Sequence, residues 1–272
     1  MEDLKVAAVV MRCAVGEKAK NLARRRSFAR RAAEEKAQMV CFPELNISGY
    51  SLRPHEGFLA EPIPGPSTEA VLEMARENGL VILAGLVEQG AGGECFISHF
   101  AASPEGLLGV YRKLHLGPPE EGIFQPGSEI PVFHTPRCTF GIELCFDGHF
   151  PELTTLLALK GAEIIFIPHA SPRETGGEKR ERWLRYLAAR AYDNSVFGVA
   201  CNQVGDSDGG LSFPGTALIL DPRGEVIATD TGGKEEMIYA DLKGVALKNV
   251  RENHHGYFLG RRRPSLYKEL AS

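Results

Sequence analysis

The chain has 272 residues, is 43% hydrophobic and 24% charged, and carries a net charge of −4. That length suits one large α/β domain or two small ones, and the composition is ordinary for a globular protein. The mild acidity excludes a global basic field for nucleic acid. Cys13, Cys41, Cys95, Cys138, Cys145 and Cys201 show no C-x-x-C spacing, and a chain of this size does not need a disulfide scaffold. Met1-Glu2-Asp3-Leu4-Lys5 lacks the basic segment and apolar core of a secretory signal. No apolar run reaches the roughly 18 to 20 residues of a membrane span. The expectation is a reduced, cytoplasmic protein with no membrane and no nucleic-acid partner.

In chain order, residues 5–11 read as a buried strand and residues 17–36, rich in Ala, Arg, Lys and Glu, as a helix. The basic residues of that helix, Arg24-Arg25-Arg26 and Arg30-Arg31, are expected on a solvated face. Residues 39–42 form a second strand that Pro43 ends, and residues 53–66 a proline-rich loop. A helix over 68–78 stops at Gly79. Strands over 80–87, 95–101 and 107–112 follow, then 132–135 and 139–144 on either side of Pro136. A turn at Gly148 leads into a helix over 150–160. The rest alternates: strand 163–168, helix 178–194, strands 196–201, 216–220, 226–228 and 237–241, and a last helix over 243–253. Several strands lack polar alternation, as strands buried on both faces do, and long helices separate them. The pattern predicts a layered α/β fold in one domain over residues 1–272, with residues 243–272 as a C-terminal helix and tail.

Three reactive side chains share one structural description. Glu44 follows the strand at 39–42, Lys113 the strand at 107–112 and Cys145 the strand at 139–144. The C-terminal ends of strands are where α/β sheets usually place their sites. Taken singly, each has an ordinary reading: Glu44 and Lys113 as solvated loop charges, Cys145 as a core thiol, since free cysteine is among the most buried residue types. Their joint placement is more informative, but does not by itself name a mechanism.

Phe42-Pro43-Glu44-Leu45 with Ser48-Gly49-Tyr50, Tyr111-Arg112-Lys113-Leu114-His115-Leu116, and Gly141-Ile142-Glu143-Leu144-Cys145-Phe146-Asp147 with Phe150-Pro151-Glu152 together resemble the carbon–nitrogen hydrolases, or nitrilase superfamily. Arg190-Ala191 with Asn194, Asn202-Gln203-Val204-Gly205 and Arg262-Arg263-Pro264 with Tyr267 extend the resemblance along essentially the whole chain. The resemblance implies a four-layer α-β-β-α sandwich, a homodimer or higher homo-oligomer that uses the C-terminal segment, and a Glu–Lys–Cys triad at Glu44, Lys113 and Cys145. A second family glutamate maps to Glu120 or Glu121, with Glu120 preferred on its spacing to Phe124. Lys113 would favour the thiolate, Glu44 would move the proton, and Lys113 with the Phe146 backbone N–H would hold the oxyanion.

The implied substrate is a small linear amide or N-carbamoyl compound, with no metal and no organic cofactor. Family nitrilases tend to carry Cys-Trp-Glu where this chain has Cys145-Phe146-Asp147, so a nitrile is the alternative, and a non-hydrolytic binding or redox-sensing protein on the same fold a further one. Phe146, His149, His169 and Arg173 are the candidate substrate-binding residues. His115 and His149 read as polar walls. Lys179-Arg180-Arg182 could meet a substrate carboxylate, although a solvated helix face is the favoured reading. Loops over 53–66, 117–125, 170–177 and 206–213 would set specificity.

Overall fold

In β1 (Leu4–Val10), Val6, Ala8 and Val10 face one apolar layer while Ala7 and Val9 face another. Both faces are covered, which is why the run shows no polar alternation. The computed structural model describes residues 1–54, 59–207 and 210–271. After β1 the chain forms α1 (Lys18–Glu34), β2 (Met39–Cys41), α2 (Pro66–Asn78) and three longer strands, β3 (Val81–Gln89), β4 (Cys95–Ser103) and β5 (Gly106–Arg112). The second half runs β6 (Phe133–His134), β7 (Thr139–Ile142), a 3-10 turn at Cys145–His149, α3 (Pro151–Leu159), β8 (Ile164–His169), α4 (Gly176–Asn194) and β9 (Phe197–Asn202). It closes with β10 (Val204–Asp206), β11 (Ser212–Pro214), β12 (Ala217–Leu220), β13 (Val226–Asp230), β14 (Glu236–Leu242) and α5 (Gly244–Arg251).

Among the described residues two six-stranded sheets result, in the orders β14-β1-β2-β3-β4-β5 and β13-β12-β9-β8-β7-β6, beside the two-stranded β10-β11. Each has three parallel strands, β1-β2-β3 and β7-β8-β9, flanked by antiparallel ones. The inner faces meet in one core, with Leu83, Val87 and Ile97 from the first sheet and Phe140, Phe166 and Val199 from the second. Phe28 and Ala32 of α1 with Val71 and Met74 of α2 cover the first sheet's outer face. Leu153 and Leu157 of α3 with Trp183 and Leu187 of α4 cover that of the second. The layers are therefore α-β-β-α, the sandwich expected from the sequence. Among the described residues no helix is long and apolar enough to cross a membrane.

Local differences from the sequence reading have physical causes. Helix α4 starts at Gly176, two residues before the predicted start, because Thr175 caps it: its hydroxyl accepts from the Glu178 N–H, and the Glu178 carboxylate accepts from the Thr175 N–H. Helix α2 starts at Pro66, at the first position that tolerates proline. The β10–β11 hairpin was not visible in the sequence pattern. The expected solvated arginine face of α1 is corrected at Arg25. Arg26 does reach outward to Glu73 and Glu77, but Arg25 is fully buried, its guanidinium 5.0 Å from the Phe42 ring centroid. Burial lowers its pKa to about 9.

Candidate active site

The site lies where β2, β5 and β7 end. Past β2, Pro43 stops the strand and the chain turns through Leu45 at φ 52°. This turn presses on β3 at Gly85, where an added Cβ would come within 3.1 Å of the Leu45 nitrogen and 2.5 Å of His99 Nδ1. The Ile47 N–H donates to the Gly85 carbonyl at 3.0 Å. Glu44 is thereby held inward and is 1% exposed. Lys113 follows β5, anchored by its N–H to the Ile97 carbonyl.

Lys113 is equally buried and joins two carboxylates. Its Nζ donates to Glu44 Oε1 at 2.8 Å and to Glu120 Oε1 at 3.0 Å. Glu44 Oε2 accepts from the Ala170 N–H at 2.9 Å, and Gln203 Nε2 donates to the Glu44 carbonyl at 2.8 Å. Glu120 accepts from the Gly117 N–H at 2.7 Å and the Tyr50 hydroxyl at 3.2 Å. Of the two adjacent glutamates, Glu120 is thus turned onto Lys113, while Glu121 is exposed. Tyr50 stood out in the sequence only as part of a motif; nothing there showed what it touches.

Cys145 opens the 3-10 turn after β7 with φ 48°, a left-handed conformation that costs a non-glycine residue on the order of 1–3 kcal/mol. It is the one cysteine with part of its surface open; the other five are buried. Burial pushes its thiol up to about 12; the Glu44 and Glu120 charges add to the rise, and Lys113 and Lys179 pull against it. Lys113 thus pulls toward the thiolate, as expected, while burial pulls harder toward the thiol, which leaves a proton for Glu44 to take. Burial also raises Glu44 to about 7, with Lys113 opposing and Glu120 reinforcing. For Lys113 burial lowers the pKa, but the charges of Glu44, of Cys145 once it ionises, and of Glu120 raise it well above the ordinary lysine value. The arrangement offers a neutral thiol, a carboxylate poised to take a proton near neutrality, and a fixed cation.

The candidate substrate-binding residues fall in different surroundings. Phe146 is half-buried beside the His149 ring, which leans on Tyr186 at 4.3 Å between centroids. His169 is buried against Trp183, with Nδ1 2.7 Å from the Ile167 carbonyl, and burial drives its pKa well below the ordinary value. Arg173 is exposed, and its N–H donates to the Ser212 carbonyl at 2.9 Å.

The solvated-face reading of the 179–182 run is corrected at Lys179. It is fully buried, donates to Ser171 Oγ at 2.8 Å, pairs with Glu174 at 3.0 Å and acts on the Cys145 thiol. Parts of two candidate specificity loops, residues 55–58 and 208–209, lie outside the described residues. Among the described residues no three His, Cys, Asp or Glu side chains are grouped to hold a metal ion.

The carbon-nitrogen hydrolase family model matches residues 5–252, and the chain belongs to that family. It is 32% identical to a nitrilase of Pyrococcus abyssi over 274 residues, covering 97% of this chain and 99% of the relative. It is 32% identical to an omega-amidase of Xenopus tropicalis, covering 86% and 87% of the two chains. A solved carbon-nitrogen hydrolase from Helicobacter pylori superposes with a TM-score of 0.86 at 25% identity, over 99% of this chain and 98% of that one.

Proposed function

We propose that this chain hydrolyses the non-peptide C–N bond of a small linear amide or N-carbamoyl compound through a thioester on Cys145. The observation that carries the reading is the buried Glu44–Lys113–Glu120 chain beside a strained, partly open cysteine. Glu44 takes the thiol proton as Sγ attacks the carbonyl carbon. The oxyanion faces Lys113 Nζ and the Phe146 N–H. Collapse expels ammonia or an amine, which receives the proton from Glu44, and the thioester remains. Glu44 then deprotonates a water; its attack releases the acid and returns the thiol. Glu120 holds Lys113 in place.

Two features support amide over nitrile: Cys145-Phe146-Asp147 in place of Cys-Trp-Glu, and relatives named omega-amidase. The test is ammonia release from a panel of amides and N-carbamoyl compounds, with and without a carboxylate, and of nitriles, with intact mass read during turnover. An acyl adduct on the parent protein and none on Cys145→Ala is expected. Turnover that persists in purified Cys145→Ala, or nitriles consumed in preference to amides, would sink the reading.

The same reading carries a homodimer or higher homo-oligomer. Leu156 and Leu159 stand out from α3, Tyr192 from α4 and Phe258 from the tail, at 37% to 50% exposure. Tyr192 and Phe258 meet with ring centroids 5.5 Å apart, so the tail contacts α4 at these two apolar side chains. Light scattering is expected to give at least twice the 29.7 kDa chain mass, and Leu159→Glu to reduce it. A monomer at all concentrations tested contradicts this.

A further inference from the structure

Asp147 is fully buried two residues after the nucleophile. Its Oδ2 accepts from the Tyr111 hydroxyl at 2.7 Å and from the Leu144 N–H at 2.9 Å. Its Oδ1 accepts from the His115 N–H at 2.8 Å and lies 2.9 Å from His115 Nδ1. These partners are not scattered. Tyr111 and His115 stand two residues to either side of Lys113, and Leu144 directly precedes Cys145. Lys113 arrives from the first sheet and Cys145 from the second. One carboxylate therefore ties both flanks of the cation to the residue before the nucleophile, across the join between the sheets.

We propose that Asp147 is a positioning residue, which fixes Lys113 and Cys145 relative to each other by gripping the segments that carry them. The Tyr111 hydroxyl and two backbone N–H groups converge on it as donors, and its two oxygens accept them all. Asparagine of the same shape turns an NH2 toward donors and leaves buried donors unmatched. The grip on the Leu144 N–H also sets the approach to the left-handed Cys145. The His115 ring completes the clamp, stacked on Phe150 at 3.7 Å between centroids. From the other side, Arg190 fixes the same turn by donating to the Gly148 carbonyl at 3.2 Å and the His149 carbonyl at 3.1 Å.

The inference rests on Cys145 and Lys113 acting together as proposed above. The experiment compares parent, Asp147→Asn, Tyr111→Phe and the double variant in three measurements: the second-order rate of Cys145 alkylation by iodoacetamide, kcat and KM on the panel amide that the parent hydrolyses fastest, and Tm. Cys145→Ser supplies the background alkylation. Asp147→Asn is expected to lose about 10²-fold in kcat, the scale of a 1 Å misplacement, with alkylation falling alongside it and KM changing little. Tyr111→Phe is expected to lose severalfold at nearly parental Tm, and to add little in the Asp147→Asn background.

A folded Asp147→Asn with kcat and alkylation within twofold of the parent overturns the proposal, as does a loss explained wholly by its unfolded fraction. Should Asp147→Asn fail to fold, Tyr111→Phe decides: a kcat loss at unchanged KM and Tm supports the clamp, and parental kcat defeats it. A parent that releases no ammonia dependent on Cys145 overturns the functional reading and the clamp together. An active parent with an equally active Asp147→Asn defeats the clamp alone.

Discussion

Lys113→Met is expected to lower ammonia release by about 10³-fold, at the upper end of what one lost oxyanion donor costs, and unfolding free energy by ~3–5 kcal/mol. Methionine keeps the length and removes the charge, so the change isolates electrostatics from packing. In the parent, one buried cation sits between Glu44 and Glu120, and each carboxylate also takes a backbone N–H. Without the cation, two buried carboxylates keep only the Ala170 and Gly117 N–H groups and the Tyr50 hydroxyl, and no positive charge offsets their desolvation. Glu44 then rises further from its already raised pKa and is protonated at neutral pH, so the base fails along with the oxyanion donor. The ionisation of Lys113 is favoured by folding, because its folded pKa lies above the ordinary 10.5. Its stabilisation is therefore complete at neutral pH and is lost only as pH rises through that raised value. Denaturant unfolding measured beside kcat checks both parts. A Lys113→Met protein within tenfold of parental turnover would remove Lys113 from the reaction.

How much of this site was legible in the sequence depended on how local each cause is. The ends of the strands carrying Glu44, Lys113 and Cys145 could be placed because apolar runs and Pro43 mark them over a few residues. A layered α/β fold followed from strands with two apolar faces, and the four-layer α-β-β-α order from the family resemblance. What escaped is set by contacts between distant segments. Arg25 and Lys179 sit in charge runs that read as solvated, and only the packing of their helices on Phe42 and Ser171 turns them inward. Glu120 and Glu121 are neighbours with identical chemistry; the Gly117 N–H, Tyr50 and Lys113 select one. Asp147 stood in a quoted motif, but its role depends on Tyr111 and His115, 36 and 32 residues away. The left-handed backbone at Cys145 has no sequence mark, since the residue is not a glycine. The balance at its thiol is hidden for a related reason: a nearby lysine is visible in a motif, and the burial that opposes it is not.

The pH profile of kcat/KM is expected to show an acidic limb near pH 7, and Glu44→Gln to remove that limb while lowering turnover by about 10²–10⁴-fold, the usual yield of a general base. An ordinary glutamate titrates at 4.5; burial carries Glu44 to about 7, with the Glu120 charge adding to the rise and Lys113 and the Ala170 N–H holding it back. A base must be unprotonated when the thiol arrives, so activity climbs as pH rises through that value. The cysteine cannot supply this limb, because its thiol ionises only near 12 and is neutral throughout the range.

The same shift has the opposite sign for stability. A carboxyl raised on folding stabilises the protein most below 4.5, and that contribution is lost as pH rises towards about 7. At the pH where Glu44 becomes a competent base, the fold no longer gains from its protonation. Glu44→Gln should therefore lose less stability than the parent between those two pH values while losing most of the turnover. Two measurements decide this, a rate profile and melting temperatures across the same buffers. An acidic limb that stays near 4.5 would mean that water reaches Glu44 in the working enzyme, and a burial-tuned base at this position would then be wrong.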